Sequence, residues 1–88
     1  MRARVLVTLK RSVLDPQGQA VTRALSTLGF DEVQGVRLGK VIELDLQDGD
    51  LAQAEARIKT MCEKLLANTV IEEYRIEWLG QPARAAGA

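Results

Sequence analysis

Eighty-eight residues, 47% of them hydrophobic and 27% charged, leave room for one core and describe a single soluble globular domain. Twelve Lys and Arg balance twelve Asp and Glu with a pI near 6.2, so no net field draws the chain to nucleic acid or to an anionic membrane. Histidine is absent and Cys62 is the only cysteine, which excludes a zinc site, a Cys-His pair and a Ser-His-Asp triad within one chain.

A domain this small buries only about 60–65% of the surface its unfolded chain exposes, so self-association is expected. No apolar run approaches the roughly 18 residues of a membrane span, and Met1-Arg2-Ala3-Arg4-Val5 leads into a strand pattern, not a signal peptide. With its lone cysteine, the chain is expected in the cytoplasm.

Along the chain, Ala3, Val5, Val7 and Leu9 alternate with Arg4, Leu6 and Thr8, the period of a strand with one face in the core. Leu14-Asp15-Pro16-Gln17-Gly18 follows. Asp15 can cap a helix, and Pro16 suits the first helical position because its missing donor is not needed there. Gly18 is unusual, since glycine in the first turn lowers helix propensity by up to about 1 kcal/mol relative to alanine. Its presence suggests that something approaches the backbone closely. Ala20, Val21, Ala24, Leu25 and Leu28 then recur at helical spacing, predicting a helix over 16–28 that Gly29 ends in a left-handed cap, with Phe30 folding back on it.

Val33, Val36 and Leu38 predict a short second strand, with a hairpin turn at Gly39-Lys40. Ile42, Leu44 and Leu46, alternating with Val41, Glu43 and Asp45, predict a third strand antiparallel to it. Asp50 is the expected N-cap of a second helix over 51–67, whose apolar stripe is Leu51, Ala54, Ile58, Met61, Cys62, Leu65 and Leu66. Asn68, a residue that tolerates the left-handed conformation, is the expected C-cap. Residues 70–79 predict a fourth strand with Tyr74, Ile76 and Trp78 on one face, and residues 80–88 read as a small-residue tail expected to be disordered.

The expected architecture is therefore one α+β domain over 1–79, with the ferredoxin-like order β-α-β-β-α-β. A four-stranded antiparallel sheet would carry both helices on one face, and the first strand would lie between the third and fourth. The outward side of that first strand would set Arg2, Arg4 and Lys10 against Glu43, Asp45, Glu73 and Glu77, as on a solvated or subunit-facing surface.

Chemistry is sparse. Cys62 sits in an apolar stripe with no histidine to activate it, which describes a buried inert thiol. Glu72 and Glu73 are adjacent in a strand and point to opposite faces, so they cannot act as an acid and base pair. The Gly35-Val36-Arg37-Leu38-Gly39-Lys40 run has two glycines and two cations but lacks the strand-to-helix setting of a phosphate loop. No aromatic residue lies on the first or third strand to stack with RNA bases.

Several local peculiarities occur together in one order: Val7-Thr8-Leu9-Lys10, Val13-Leu14-Asp15-Pro16-Gln17-Gly18, Ala24-Leu25 with Leu28-Gly29-Phe30, and Val36-Arg37-Leu38-Gly39-Lys40. Near the end come Met61-Cys62-Glu63-Lys64-Leu65-Leu66-Ala67-Asn68 and Val70-Ile71-Glu72. In this combination, from about residue 3 to 78, the chain resembles the PurS family, the small accessory subunits of phosphoribosylformylglycinamidine synthase, an ATP-dependent amidotransferase of purine biosynthesis. Thr69 stands where that family more often has proline, a difference expected to act only locally.

The resemblance implies a homodimeric or higher homo-oligomeric subunit without an active site or cofactor of its own. Such a subunit joins a glutaminase subunit, which releases ammonia, to a synthetase subunit that binds ATP and magnesium, and assists ammonia transfer between them. The docking candidates are Lys10, Asp15, Pro16 and Gly18 at the first turn, Arg37, Gly39 and Lys40 at the expected hairpin, and Asn68 with Glu72 after the second helix. Asp15, Pro16 and Asn68 are equally explained as caps. The alternative function is an ACT-like small-molecule-sensing module, which shares the element order.

Overall fold

The computed structural model describes residues 1–80, so the expected tail beyond Gly80 lies outside the described residues. The chain runs β1 (Arg2–Leu9), α1 (Pro16–Thr27), β2 (Gly39–Asp45), α2 (Leu51–Met61), a π-helical turn (Cys62–Leu66) and β3 (Glu72–Leu79). The antiparallel sheet has the order β2-β1-β3, with Val5 opposite Ile42 on one side and Ile76 on the other. The centre of the sheet is thus the strand expected there. Among the described residues no helix is long and apolar enough to cross a membrane.

Strand alternation and α2 together make the core. Ala3, Val5 and Val7 are buried against Ile58, Cys62 and Ala67, with Ile42, Leu44, Tyr74, Ile76 and Trp78 packed around them. The other sheet face carries the expected ladder of charge: Arg2 to Asp45 at 2.9 Å, and Arg4 to Glu43 at 3.3 Å and Glu77 at 4.0 Å.

Three expectations about the fold are corrected. First, the sheet has three strands instead of four, because residues 33–38 form no strand and Gly39-Lys40 is no hairpin tip. Gly39 and Lys40 open β2 and pair with Thr8 and Val7. The preceding segment is a strap whose Leu38 N–H donates to the Asp15 carboxylate, at 3.0 Å, instead of to a neighbouring strand.

Second, α1 does not share the core with α2. Gly18 is its only buried residue, Val21 and Leu25 are half-buried, and Leu28 is 70% exposed. The Cα radius of gyration, 16.5 Å, exceeds the about 12 Å of a compact chain of this length, as a helix standing off the core requires. The helix end itself forms as predicted. Gly29 has φ 99°, its N–H donates to the Ser26 carbonyl, and the Phe30 N–H reaches back to Leu25 O at 2.9 Å, a Schellman closure.

Third, α2 ends without a left-handed asparagine, since no described residue other than glycine has positive φ. The helix widens instead, and the Ala67 N–H donates to Cys62 O five residues back, at 2.9 Å. The extra residue in this turn shifts the buried stripe from spacing 3.6 to four: Ile58, Cys62 and Leu66 face the core, and Leu65 is 82% exposed.

Candidate interaction site

At one end of the sheet the strap 33–38 crosses the start of α1, and Asp15 holds the two together. Its Oδ1 accepts the Gly18 N–H at 2.9 Å, closing the first turn of α1, while Oδ2 accepts the Leu38 N–H. Asp15 is 6% exposed. Its pKa lies below the ordinary value because the Leu38 N–H, then the Gly18 N–H, stabilise the anion; Arg37 adds to this against the opposing effect of burial.

Gly18 now has a physical account. A Cβ there would collide with the Val36 carbonyl oxygen, so the backbone that approaches it belongs to this chain's own strap. A Cβ on Gly39 would likewise come within 2.5 Å of the Val7 carbonyl oxygen. Both glycines permit close backbone crossings at the same end of the sheet.

Arg37 braces the crossing from outside. Its guanidinium donates to the carbonyls of Lys10 at 2.7 Å, Leu9 at 3.0 Å and Val13 at 3.4 Å, tying the strap to the turn after β1. That turn is also fixed by the Lys10 N–H, which donates to Ile71 O at 2.9 Å. Pro16 occupies the first position of α1.

Asn68 and Glu72 meet in the turn before β3. The Asn68 N–H donates to Glu72 Oε1 at 2.7 Å, and the Glu72 N–H donates back to Asn68 O, also at 2.7 Å. Asp15, Gly39, Lys40 and Glu72 line one hollow of about 280 Å³ with Thr8, Leu9, Gln17 and Leu38. Residues from four separate stretches of sequence therefore gather at one end of the molecule. Sequence reasoning missed Val36 and Leu38, which enter through backbone atoms and so leave no signal in side-chain type.

The arrangement ties backbone segments together through the side chains of Asp15, Arg37 and Glu72, and among the described residues it brings no reactive pair together. Burial, with Glu63 nearby, pushes the Cys62 thiol up, and the side chain is fully buried, as its place in the apolar stripe predicts. No group of three or more His, Cys, Asp or Glu among the described residues is placed to hold a metal.

Against known proteins, the sequence pattern described as PurS: Phosphoribosylformylglycinamidine (FGAM) synthase matches residues 2–80. The chain belongs to the PurS family. Phosphoribosylformylglycinamidine synthase subunit PurS of Bacillus subtilis is 54% identical over 76 residues, covering 86% of this chain and 89% of that protein. Among solved structures, PurS of Methanocaldococcus jannaschii, one of the subunits of formylglycinamide ribonucleotide amidotransferase in the purine biosynthetic pathway, superposes with TM-score 0.78. It is 38% identical and covers 86% of this chain and 92% of that one.

A chain of the PurLQS structure from Thermotoga maritima gives TM-score 0.82 at 33% identity, covering 89% and 95%. The PurS-family chain is accordingly a subunit of FGAM synthase, a ligase complex of purine biosynthesis. Membership bears out the resemblance read from the ordered peculiarities of the sequence.

Proposed function

We propose that this chain is the non-catalytic adaptor of its synthase, a homodimer that joins the glutaminase subunit to the synthetase subunit and keeps ammonia from escaping to water between them. The observation that carries the reading is the match to a chain of an assembly of PurL, PurQ and PurS across nearly all of that chain's length. Self-association is supported by α1, whose apolar side the chain's own core does not cover. ATP and magnesium then belong to the synthetase, and the work of this chain is positional. The cytoplasm is the compartment that suits a free thiol and a biosynthetic complex.

Reconstitution tests this. With cognate glutaminase and synthetase, omission of the chain is expected to abolish most glutamine-dependent synthesis while leaving ammonia-dependent synthesis within about twofold. Unchanged glutamine-dependent synthesis without the chain overturns the adaptor.

A further inference from the structure

In the loop between β2 and α2, Asp48 stands directly before Gly49. The other aspartates precede Pro16, Glu32, Leu46 and Leu51, so this pairing occurs once in the chain. An aspartate before glycine is open to one spontaneous reaction, attack by the next residue's amide nitrogen on the side-chain carboxyl carbon. Glycine favours it because no Cβ shields the nitrogen and the backbone turns freely. A fold suppresses the reaction by holding either group in place.

Little holds them here. The loop belongs to neither helix nor strand, and the Gly49 N–H enters no hydrogen bond among the described residues. Nothing lies within 4 Å of the point where a Cβ on Gly49 would stand, so a ring has room to close. The Asp48 side chain is 96% exposed, and its Oδ1 lies 2.9 Å from the Met1 ammonium. That exposed contact is weakened by water and salt, and it engages an oxygen and not the carbon under attack.

The remaining aspartates are better restrained. Asp15 is buried, accepts two N–H groups and precedes a proline, which has no N–H to give. Asp45 ends β2 and pairs with Arg2, while Asp50 accepts the Gln53 N–H and Leu51 is already the first residue of α2. Asp31 accepts the Ser26 hydroxyl and precedes Glu32, whose side chain shields the amide.

We propose that Asp48-Gly49 is a modification site at which the ageing chain converts to a β-linked isoaspartate, a substrate for a carboxyl methyltransferase that recognises the free α-carboxyl of such a residue. The Gly49 nitrogen bonds to Asp48 Cγ, the Cγ–OH bond of the neutral acid breaks, and the hydroxyl leaves with the amide proton as water. The product is a cyclic succinimide. A second water then opens the ring. Attack at Cγ restores aspartate, whereas attack at the main-chain carbonyl carbon frees the α-carboxyl and leaves the chain running through Cγ. One water leaves and one enters, so nothing is oxidised or reduced. The isoaspartate also lengthens the main chain by one methylene just before Asp50, whose carboxylate accepts the Gln53 N–H at 2.9 Å. The change therefore loosens the start of α2.

Ageing the folded whole chain in warm, mildly acidic water enriched in heavy oxygen tests this. Peptide mapping should find heavy oxygen and a β-linkage at Asp48, and methyl transfer from S-adenosylmethionine by an isoaspartyl methyltransferase should rise at least tenfold over fresh protein. Gly49→Ala, for which the loop has room, should lower that rise about tenfold. Asp48→Asn reaches the same succinimide by losing ammonia and should react faster than the parent. Amide exchange at Gln53 should quicken in the aged fraction. Isoaspartate confined to other aspartates overturns the site, as does an Asp48→Asn chain that keeps its amide when folded and loses it in urea, since the fold would then block ring closure. Unchanged exchange at Gln53 in a converted chain overturns the link to the α2 cap.

Discussion

Helices α1 and α2 are written in the same sequence pattern, yet they end in opposite situations. Both start at an aspartate cap, Asp15 or Asp50, that accepts an N–H three residues on at 2.9 Å, and both repeat apolar residues at helical spacing. Ile58 and the adjoining Cys62 are completely buried, whereas Leu28 just past α1 is 70% exposed. Periodicity reports that a helix has an apolar side; it does not report which surface covers that side. In this chain α2 is covered by the sheet, while α1 is tied to the molecule through its N-terminal turn and the strap.

The sharpest way to break this comparison is to truncate one side chain from each helical region. Ile58→Ala should destabilise by about 2–5 kcal/mol in urea unfolding, because it opens a cavity among Val5, Val7 and Cys62. Leu28→Ala should change the dilute chain by no more than about 0.5 kcal/mol, as for other exposed positions. The loss at Leu28 should grow with protein concentration if a second copy covers α1. Equal losses at both positions in dilute protein would mean that α1 has cover the structure does not show.

A smaller effect is expected at Gly18, where two principles oppose each other. Alanine improves helix propensity by up to about 1 kcal/mol, but its Cβ would meet the Val36 carbonyl oxygen, and forcing that backbone aside costs about 1–3 kcal/mol. Net destabilisation is therefore predicted for Gly18→Ala, with faster amide exchange at Leu38 as the strap loosens. A stabilised variant would show that propensity wins and that the strap does not press on the helix. The sequence marks this glycine as a docking candidate that something approaches closely; the structure puts the chain's own backbone there.

Much of this was legible beforehand, and the failures share a cause. Alternation in residues 3–9 and 70–79 located β1 and β3, the latter two residues early, and the caps at Asp15, Asp50 and Gly29 fixed helix ends, because each is a local signal with a local mechanism. Val33, Val36 and Leu38 alternate too, but the Leu38 N–H bonds to a carboxylate 23 residues earlier, a tertiary choice that local pattern cannot carry. The π-helical turn is similarly silent: Leu65 and Leu66 are identical letters, and one extra residue in a turn decides which of them is buried. At the candidate site the side chains that draw the strands, helix and strap together, Asp15, Arg37 and Glu72, were visible as residue types. Their partners are mostly backbone atoms of distant segments, which residue type does not reveal.

The same contrast predicts a difference in acid, where the readout is a slope and not a large loss. Asp50 caps α2 from an exposed position by accepting the Gln53 N–H, while Asp15 is buried and accepts from both its helix and the strap. Because its pKa is lowered from 3.8 by those N–H groups, the folded chain binds fewer protons at Asp15 than the unfolded chain does in that pH range. Its contribution to stability is complete above the unfolded value and disappears as the pH falls through the lower folded value. Asp15→Asn keeps a cap oxygen but no anion, so urea midpoints of variant and parent should differ most near neutrality and converge below about pH 4. A constant gap between Asp15→Asn and the parent down to pH 2.5 would mean that the strap is held by the shape of the side chain, and that the charge at its crossing with α1 contributes nothing.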